Sequence, residues 1–182
     1  MQKVTVRLLR LWGTMNKLSA SGYSFDNVFS EDLLIRIQQY ITETAPTNSQ
    51  PWHLGGHRLA WYLLDPASSL RNLIGQQALV CIEQAVGAVE LSGIEIWQDH
   101  GGYENPWHND DPNNVQNIFV VYLGNYEQGL GTTYKEDNQM YSVPYQYNTA
   151  LLLTNSDKIQ HAMDGQVPAD FKRLTVYINF KK

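Results

Sequence analysis

Apolar residues recur along this chain with two different periods, and the change falls near its middle. In SEDLLIRIQQYITET, Leu33, Leu34, Ile37, Tyr40 and Ile41 recur at helical spacing. Ser30 stands where an N-cap belongs, Glu31 and Asp32 complement the positive end of the helix dipole, and Pro46 lies just past the far end. A second helix is expected over DPASSLRNLIGQQALVCIEQAVG, with Asp65 as cap and Pro66 at the first helical position. Its stripe is Leu70, Leu73, Ile74, Leu79, Ile82 and Val86, and it ends near Gly87. Beyond Gly87 the period becomes two. VELSGIEIWQD, NIFVVYLG, TALLLTN and RLTVYINF are rich in β-branched and aromatic residues, with Gly, Asn, Asp and Pro between them. Helices first and strands second predict one α+β, mainly β domain over residues 1–182. Helical support over about 1–90 would brace an antiparallel sandwich or barrel over about 91–182.

The last of these segments divides its faces sharply. Alternation puts Leu174, Val176, Ile178 and Phe180 on one side and Arg173, Thr175, Tyr177 and Asn179 on the other. The second face is too polar for an ordinary core. It either meets solvent or lines a polar cavity inside the barrel.

Composition narrows the range of functions. With 43% hydrophobic and 17% charged residues, the chain reads as a globular protein rather than a disordered or fibrous one. A formal charge of −5 and scattered Lys and Arg disfavour a surface that tracks nucleic-acid phosphates. The single cysteine, Cys81, sits in an apolar helical setting and cannot form an intrachain disulfide, so it reads as a small core residue. Arg7, Arg10 and Lys17 interrupt every apolar run at the start, and no stretch reaches the roughly 18 apolar residues a membrane span needs. A cytoplasmic location is expected.

The candidate chemistry gathers in PWHNDDPNN. His108 and Asp110 are one residue apart, so in an extended or turn conformation both can present a donor to a common point. His161 follows the apolar strand TALLLTN, from where a second imidazole can return to the same end of a barrel. Two His nitrogens and one carboxylate make the facial triad of non-haem Fe(II) sites. Rival groupings exist. Asp111 could replace Asp110, and Asp99 with His100 forms another pair. His53 and His57 have the spacing of a helical zinc pair, but the two glycines between them argue for a loop, at the cavity mouth. Trp52, Trp61, Trp97, Tyr103 and Trp107 either line a cleft or pack ordinarily. Phosphate loops, Ser-His-Asp order, C-x-x-C pairs and dinucleotide fingerprints are absent from the sequence.

From about Ile94 to Phe180 the sequence resembles the 2-oxoglutarate- and Fe(II)-dependent dioxygenases, in their prolyl hydroxylase-like branch. The resemblance rests on GGYENPWHNDDPNN, IFVVYLG, the GLGTTY turn, and the run from VPYQYNTALLLTN through His161 to Arg173 and RLTVYINF. It implies a double-stranded β-helix, a jelly-roll or cupin-like barrel braced by the N-terminal helices. It also implies His108, Asp110 and His161 as Fe(II) ligands and Arg173 as the partner of the distal carboxylate of 2-oxoglutarate, where a planar fork suits a carboxylate better than a point charge. Thr175, Tyr122, Thr133 and Gln98 are implied as further co-substrate contacts. Leu130 departs from the family's adjacent glycines, which could turn Thr132 inward in place of Thr133, and Gln98 stands where relatives often carry tyrosine. The implied reaction couples oxidative decarboxylation of 2-oxoglutarate, with O2, to hydroxylation of a substrate C–H bond, in a prolyl or other peptidyl residue. Alternatives are a small-molecule hydroxylase and a metal-binding or sensing barrel without turnover.

Overall fold

The computed structural model describes residues 13–51, 57–110, 117–125, 127–154 and 158–181. Among these the chain forms β1 (Met15–Lys17), β2 (Gly22–Asp26), α1 (Glu31–Glu43), β3 (Asn48–Pro51), β4 (His57–Tyr62) and α2 (Ser69–Val86). There follow β5 (Glu90–His100), β6 (Asn117–Tyr122), β7 (Glu127–Glu136), β8 (Gln139–Tyr145), β9 (Thr149–Thr154), β10 (Gln160–Met163) and β11 (Lys172–Lys181).

Both helices form where apolar periodicity places them. Ser30 caps α1, its hydroxyl accepting from the Leu33 amide at 3.3 Å, with Glu31 and Asp32 in the first turn. The start of α2 differs from the expectation. The Asp65 carboxylate accepts the Ala67 amide, closing a turn of its own, and Ser68 caps the helix instead. Asp65 and Pro66 therefore precede α2. At the other end Gly87 takes φ +82°, a conformation that costs glycine little. Gln77 ties the helices together, accepting the Ser30 amide at 2.8 Å and donating to the Ser30 hydroxyl at 3.1 Å.

The strands form two antiparallel sheets, one of eight strands in the order β1-β2-β9-β6-β11-β5-β4-β3 and one of three in the order β10-β7-β8. This is the double-stranded β-helix the resemblance implies. The first half is less purely helical than expected, because β1 to β4 extend the larger sheet at both edges. Their pairing comes from the central strands they lie beside, and MNK and NSQP carry no apolar alternation to announce it. GLGTTY is likewise part of strand β7 rather than a free turn.

Two cores follow from the alternation. One face of the large sheet, with Ile94, Ile96, Phe119, Val121, Leu152, Val176, Ile178 and Phe180, buries against Leu33, Ile37, Ile74 and Ile82 of the helices. Cys81 belongs to this core, and burial pushes its thiol up to about 11, as suits a packing residue. The second core lies between the sheets, where Ile118, Val120, Tyr122, Leu151 and Tyr177 meet Leu130, Tyr134, Val143 and Tyr145. Strand β6 is buried on both faces along its length because it contributes to both. The expected division of β11 holds, with Leu174, Val176, Ile178 and Phe180 toward the helices. Arg173, Thr175 and Tyr177 turn toward the space between the sheets, where they line a pocket.

Candidate metal and co-substrate site

The polar turn after β5 is held against β10. His108 and His161 exchange backbone hydrogen bonds in both directions, at 3.0 and 2.9 Å, and the Met163 amide donates to the Asn105 carbonyl at 2.9 Å. An isolated antiparallel bridge of this kind sets two histidines side by side, although 53 positions of sequence separate 108 from 161. Their rings lie 4.3 Å apart, tilted by 57°. Asp110 completes the group, with its two carboxylate oxygens 3.7 Å from Nε2 of His108 and of His161. One donor atom from each residue lies within 4.8 Å of the others, the only such cluster of three or more among the described residues.

The chemistry of the three fits a cation. Nδ1 of His108 is 2.7 Å from the Pro106 carbonyl, so it carries the proton and leaves the Nε2 lone pair facing the cluster. Burial and the neighbouring His108 lower the His161 pKa to about 4, which keeps this imidazole neutral at physiological pH. Burial raises the Asp110 pKa, while His108 opposes the rise. One Asp110 oxygen, Oδ2, the one that faces Nε2 of His161, is buried without a hydrogen-bond partner. Such unanswered polarity between sheets otherwise well packed is what a bound ion would relieve.

Beside the cluster lies a pocket lined by His161, Thr132, Thr175 and Tyr177, with Arg58 and Arg173 at its wall. Arg173 is buried. Its Nε donates to the Leu130 carbonyl at 2.8 Å and one Nη to Asp99 at 2.8 Å, so the other Nη remains for a ligand. Thr175 is fully buried and its hydroxyl has no partner. Tyr122 is also fully buried, and its hydroxyl donates to Thr132 at 2.7 Å. Burial pushes the Tyr122 pKa up to about 12, so the phenol stays a donor.

Two expected contacts lie elsewhere. Thr133 faces outward and bonds the Asp164 carboxylate, while Thr132 lines the pocket. The cause is an irregularity in β7, where the register against β8 shifts between Glu127 and Thr132. Gly129 there adopts φ +81°, and a Cβ on Gly131 would stand 2.2 Å from the Val143 carbonyl, so both glycines are required. Gln98 pairs with Leu174, opposite the pocket, and bonds His100 at 3.0 Å. Trp97 and Asp99 take the inner face in its place, because a strand's side chains alternate.

The rival ligands separate as well. Asp99 is fully buried but engaged by two arginines. His57 begins β4 rather than lying in a loop at the cavity mouth, and stacks on His100 at 4.2 Å. Trp52, His53 and Asp111 lie outside the described residues. Trp97 lines the pocket and stacks on Tyr177 at 4.1 Å, Trp61 and Tyr103 are core residues, and Trp107 is exposed beneath the Lys135 ammonium. The residue that sequence reasoning missed is Arg58. Its strand announces itself only weakly, and nothing local says that β4 would lie next to β5.

No protein-family model and no curated protein matches the sequence. Solved structures do match the fold. An oxidoreductase of the 2OG-Fe(II) oxygenase family from Burkholderia pseudomallei aligns over 88% of this chain and 84% of its own, at TM-score 0.67 and 11% identity. A Pseudomonas putida prolyl-4-hydroxylase aligns over 89% and 92%, at 0.61 and 16%. HygX from Streptomyces hygroscopicus, solved with nickel and 2-oxoglutarate bound, aligns over 88% and 82%, at 0.66 and 10%.

Proposed function

We propose that this protein is a 2-oxoglutarate- and Fe(II)-dependent dioxygenase that hydroxylates a substrate C–H bond. The observation that carries the reading is the convergence of His108, Asp110 and His161 beside a pocket that also holds Arg173 and an unpartnered Thr175 hydroxyl. His108, Asp110 and His161 would hold Fe(II) facially, leaving adjacent positions for exchangeable ligands. When bound, the metal and 2-oxoglutarate supply the activation of O2, with succinate and CO2 as co-products.

The chain's own contribution is placement. Arg173 and Thr175 hold the far carboxylate of the co-substrate, with Thr132 and Tyr122 as the hydrogen-bonded pair next to them. The apolar rings of Trp97 and Tyr177 and the side chains of Ile118 and Val120 exclude water from the same cavity. The substrate is read as a peptidyl residue, prolyl in the first instance, in line with the fold shared with the Pseudomonas putida prolyl-4-hydroxylase. Single-domain organisation over residues 1–182 and a cytoplasmic location belong to the same reading; no helix among the described residues is long and apolar enough to cross a membrane.

The test is succinate formation from 2-oxoglutarate and O2 with Fe(II), run against proline-containing peptides and small metabolites. Wild-type protein should turn over, and His108→Ala or Asp110→Ala should remain folded and lose both bound metal and succinate release. Turnover unchanged in either variant refutes the ligand assignment. Bound metal with no succinate from any substrate would make the barrel a sensor.

A further inference from the structure

Arg58, Asp99 and Arg173 stand in a row across β4, β5 and β11, paired position to position and turned to the same inner face. Asp99 receives Arg58 Nε at 2.6 Å, Arg58 Nη2 at 3.2 Å and Arg173 Nη1 at 2.8 Å. It is fully buried, and with only donors around it, it must be a carboxylate. Arg58 is fixed further, its guanidinium 3.9 Å from the Trp97 ring and 4.4 Å from the Tyr103 ring. Both arginines line the pocket, each with an Nη unspent on Asp99.

The arrangement poses an electrostatic problem. A buried Asp99 beside Arg173 alone would form a neutral pair, and a neutralised guanidinium is a poor receptor for a carboxylate. Asp99 is nevertheless useful, because together with the Leu130 carbonyl it fixes the fork of Arg173. Arg58 resolves the conflict. Two guanidiniums against one carboxylate leave a single positive charge, the complement of one carboxylate.

We propose that Arg58 is a specificity-determining residue that keeps the Arg58–Asp99–Arg173 row one charge positive, so that the pocket selects a 2-oxo acid bearing a second, distal carboxylate. The proposal rests on the reading of the pocket as a co-substrate site and adds to it the residue that sets its charge. Arg58 acts from two strands away, about 10 Å by the ordinary spacing of strands. At that range, with the effective dielectric usual for such pairs, removing its charge should weaken binding of the distal carboxylate roughly 10- to 30-fold.

The experiment is calorimetric titration of the full chain, loaded with Ni(II), with 2-oxoglutarate and with 2-oxobutyrate, which has the same metal-binding end but lacks the distal carboxylate. Arg58→Met should lose roughly 10- to 30-fold in affinity for 2-oxoglutarate and change little for 2-oxobutyrate. Arg58→Gln, which can still bond Asp99, serves as a second charge-removing variant should Arg58→Met fold poorly. Adding Asp99→Asn to either should recover most of the lost affinity, because Arg173 then carries the single charge alone. A purely structural role for Arg58 predicts no such recovery. Unchanged 2-oxoglutarate affinity in the single variants, equal loss for both acids, or no rescue in the double variant each overturns the proposal while leaving the site reading intact. Wild-type protein that binds neither acid overturns both.

Discussion

The Thr175 hydroxyl offers a test in which stability and binding move in opposite directions. The side chain is fully buried, and the hydroxyl meets no hydrogen-bond partner. An unpaired hydroxyl in a dry interior costs about 1–3 kcal/mol, whereas a methyl of the same shape costs nothing of that kind. Thr175→Val keeps the β-branched form that strand β11 favours, so the ligand-free protein should become more stable by about 1–2 kcal/mol. For a chain of this size that is a rise of roughly 2–8 °C in Tm. Binding should suffer if the hydroxyl holds the distal carboxylate as proposed, because loss of one hydrogen bond to a charged group weakens affinity roughly tenfold or more. The assay is thermal unfolding of wild-type and variant protein loaded with Ni(II), across increasing 2-oxoglutarate. The variant should melt higher without ligand and gain less from it, since ligand stabilisation follows the ratio of concentration to Kd. A variant that melts lower than wild type without ligand, or gains as much from 2-oxoglutarate, refutes the argument.

Three further outcomes follow from the same geometry. His161 has a folded pKa lowered to about 4 from 6.5, so between these values the unfolded chain takes up a proton that the native protein refuses. Metal-free protein should therefore lose stability as pH falls from above 6.5 toward 4, by up to about 3 kcal/mol, with the raised Asp110 opposing part of the loss. Denaturant melts across pH should show this limb, and His161→Phe should flatten it. Asn148 sits at φ +57°, accepting the Phe29 amide and donating to the Phe29 carbonyl, both at 2.8 Å. Asn148→Ala should cost about 2–4 kcal/mol in urea unfolding, from two buried bonds and a conformation alanine resists. Gly131→Ala should push β7 off β8 and carry the Leu130 carbonyl away from Arg173, lowering both Tm and 2-oxoglutarate affinity in calorimetry.

The sequence alone determined whatever depends on neighbours in the chain. Helical period, a serine cap before Glu31 and a glycine after Val86 are local signals, and α1 and α2 formed on them. Alternation decided the two faces of β11, because a strand's side chains take opposite sides whatever it pairs with. At β5 the same rule opposes what the resemblance implies, since the parity of Gln98 with Ile94 and Ile96 places it toward the helices. Spacing likewise pairs His108 with Asp110, and the place of His161 after an apolar strand makes it a candidate third member, as the resemblance also implies.

Only the tertiary structure decided what depends on which strands become neighbours and in what register. An irregularity in the register of β7 against β8 turned Thr132 inward and Thr133 out, and no local signal fixes where such a shift falls. The row Arg58–Asp99–Arg173 exists because β4 lies beside β5 and β5 beside β11, with registers that bring these three residues level. Hydrogen bonding across a sheet is indifferent to distance along the chain. A buried charge can therefore find its partner 41 or 74 positions away, and only the assembled sheet reveals which partner it has found.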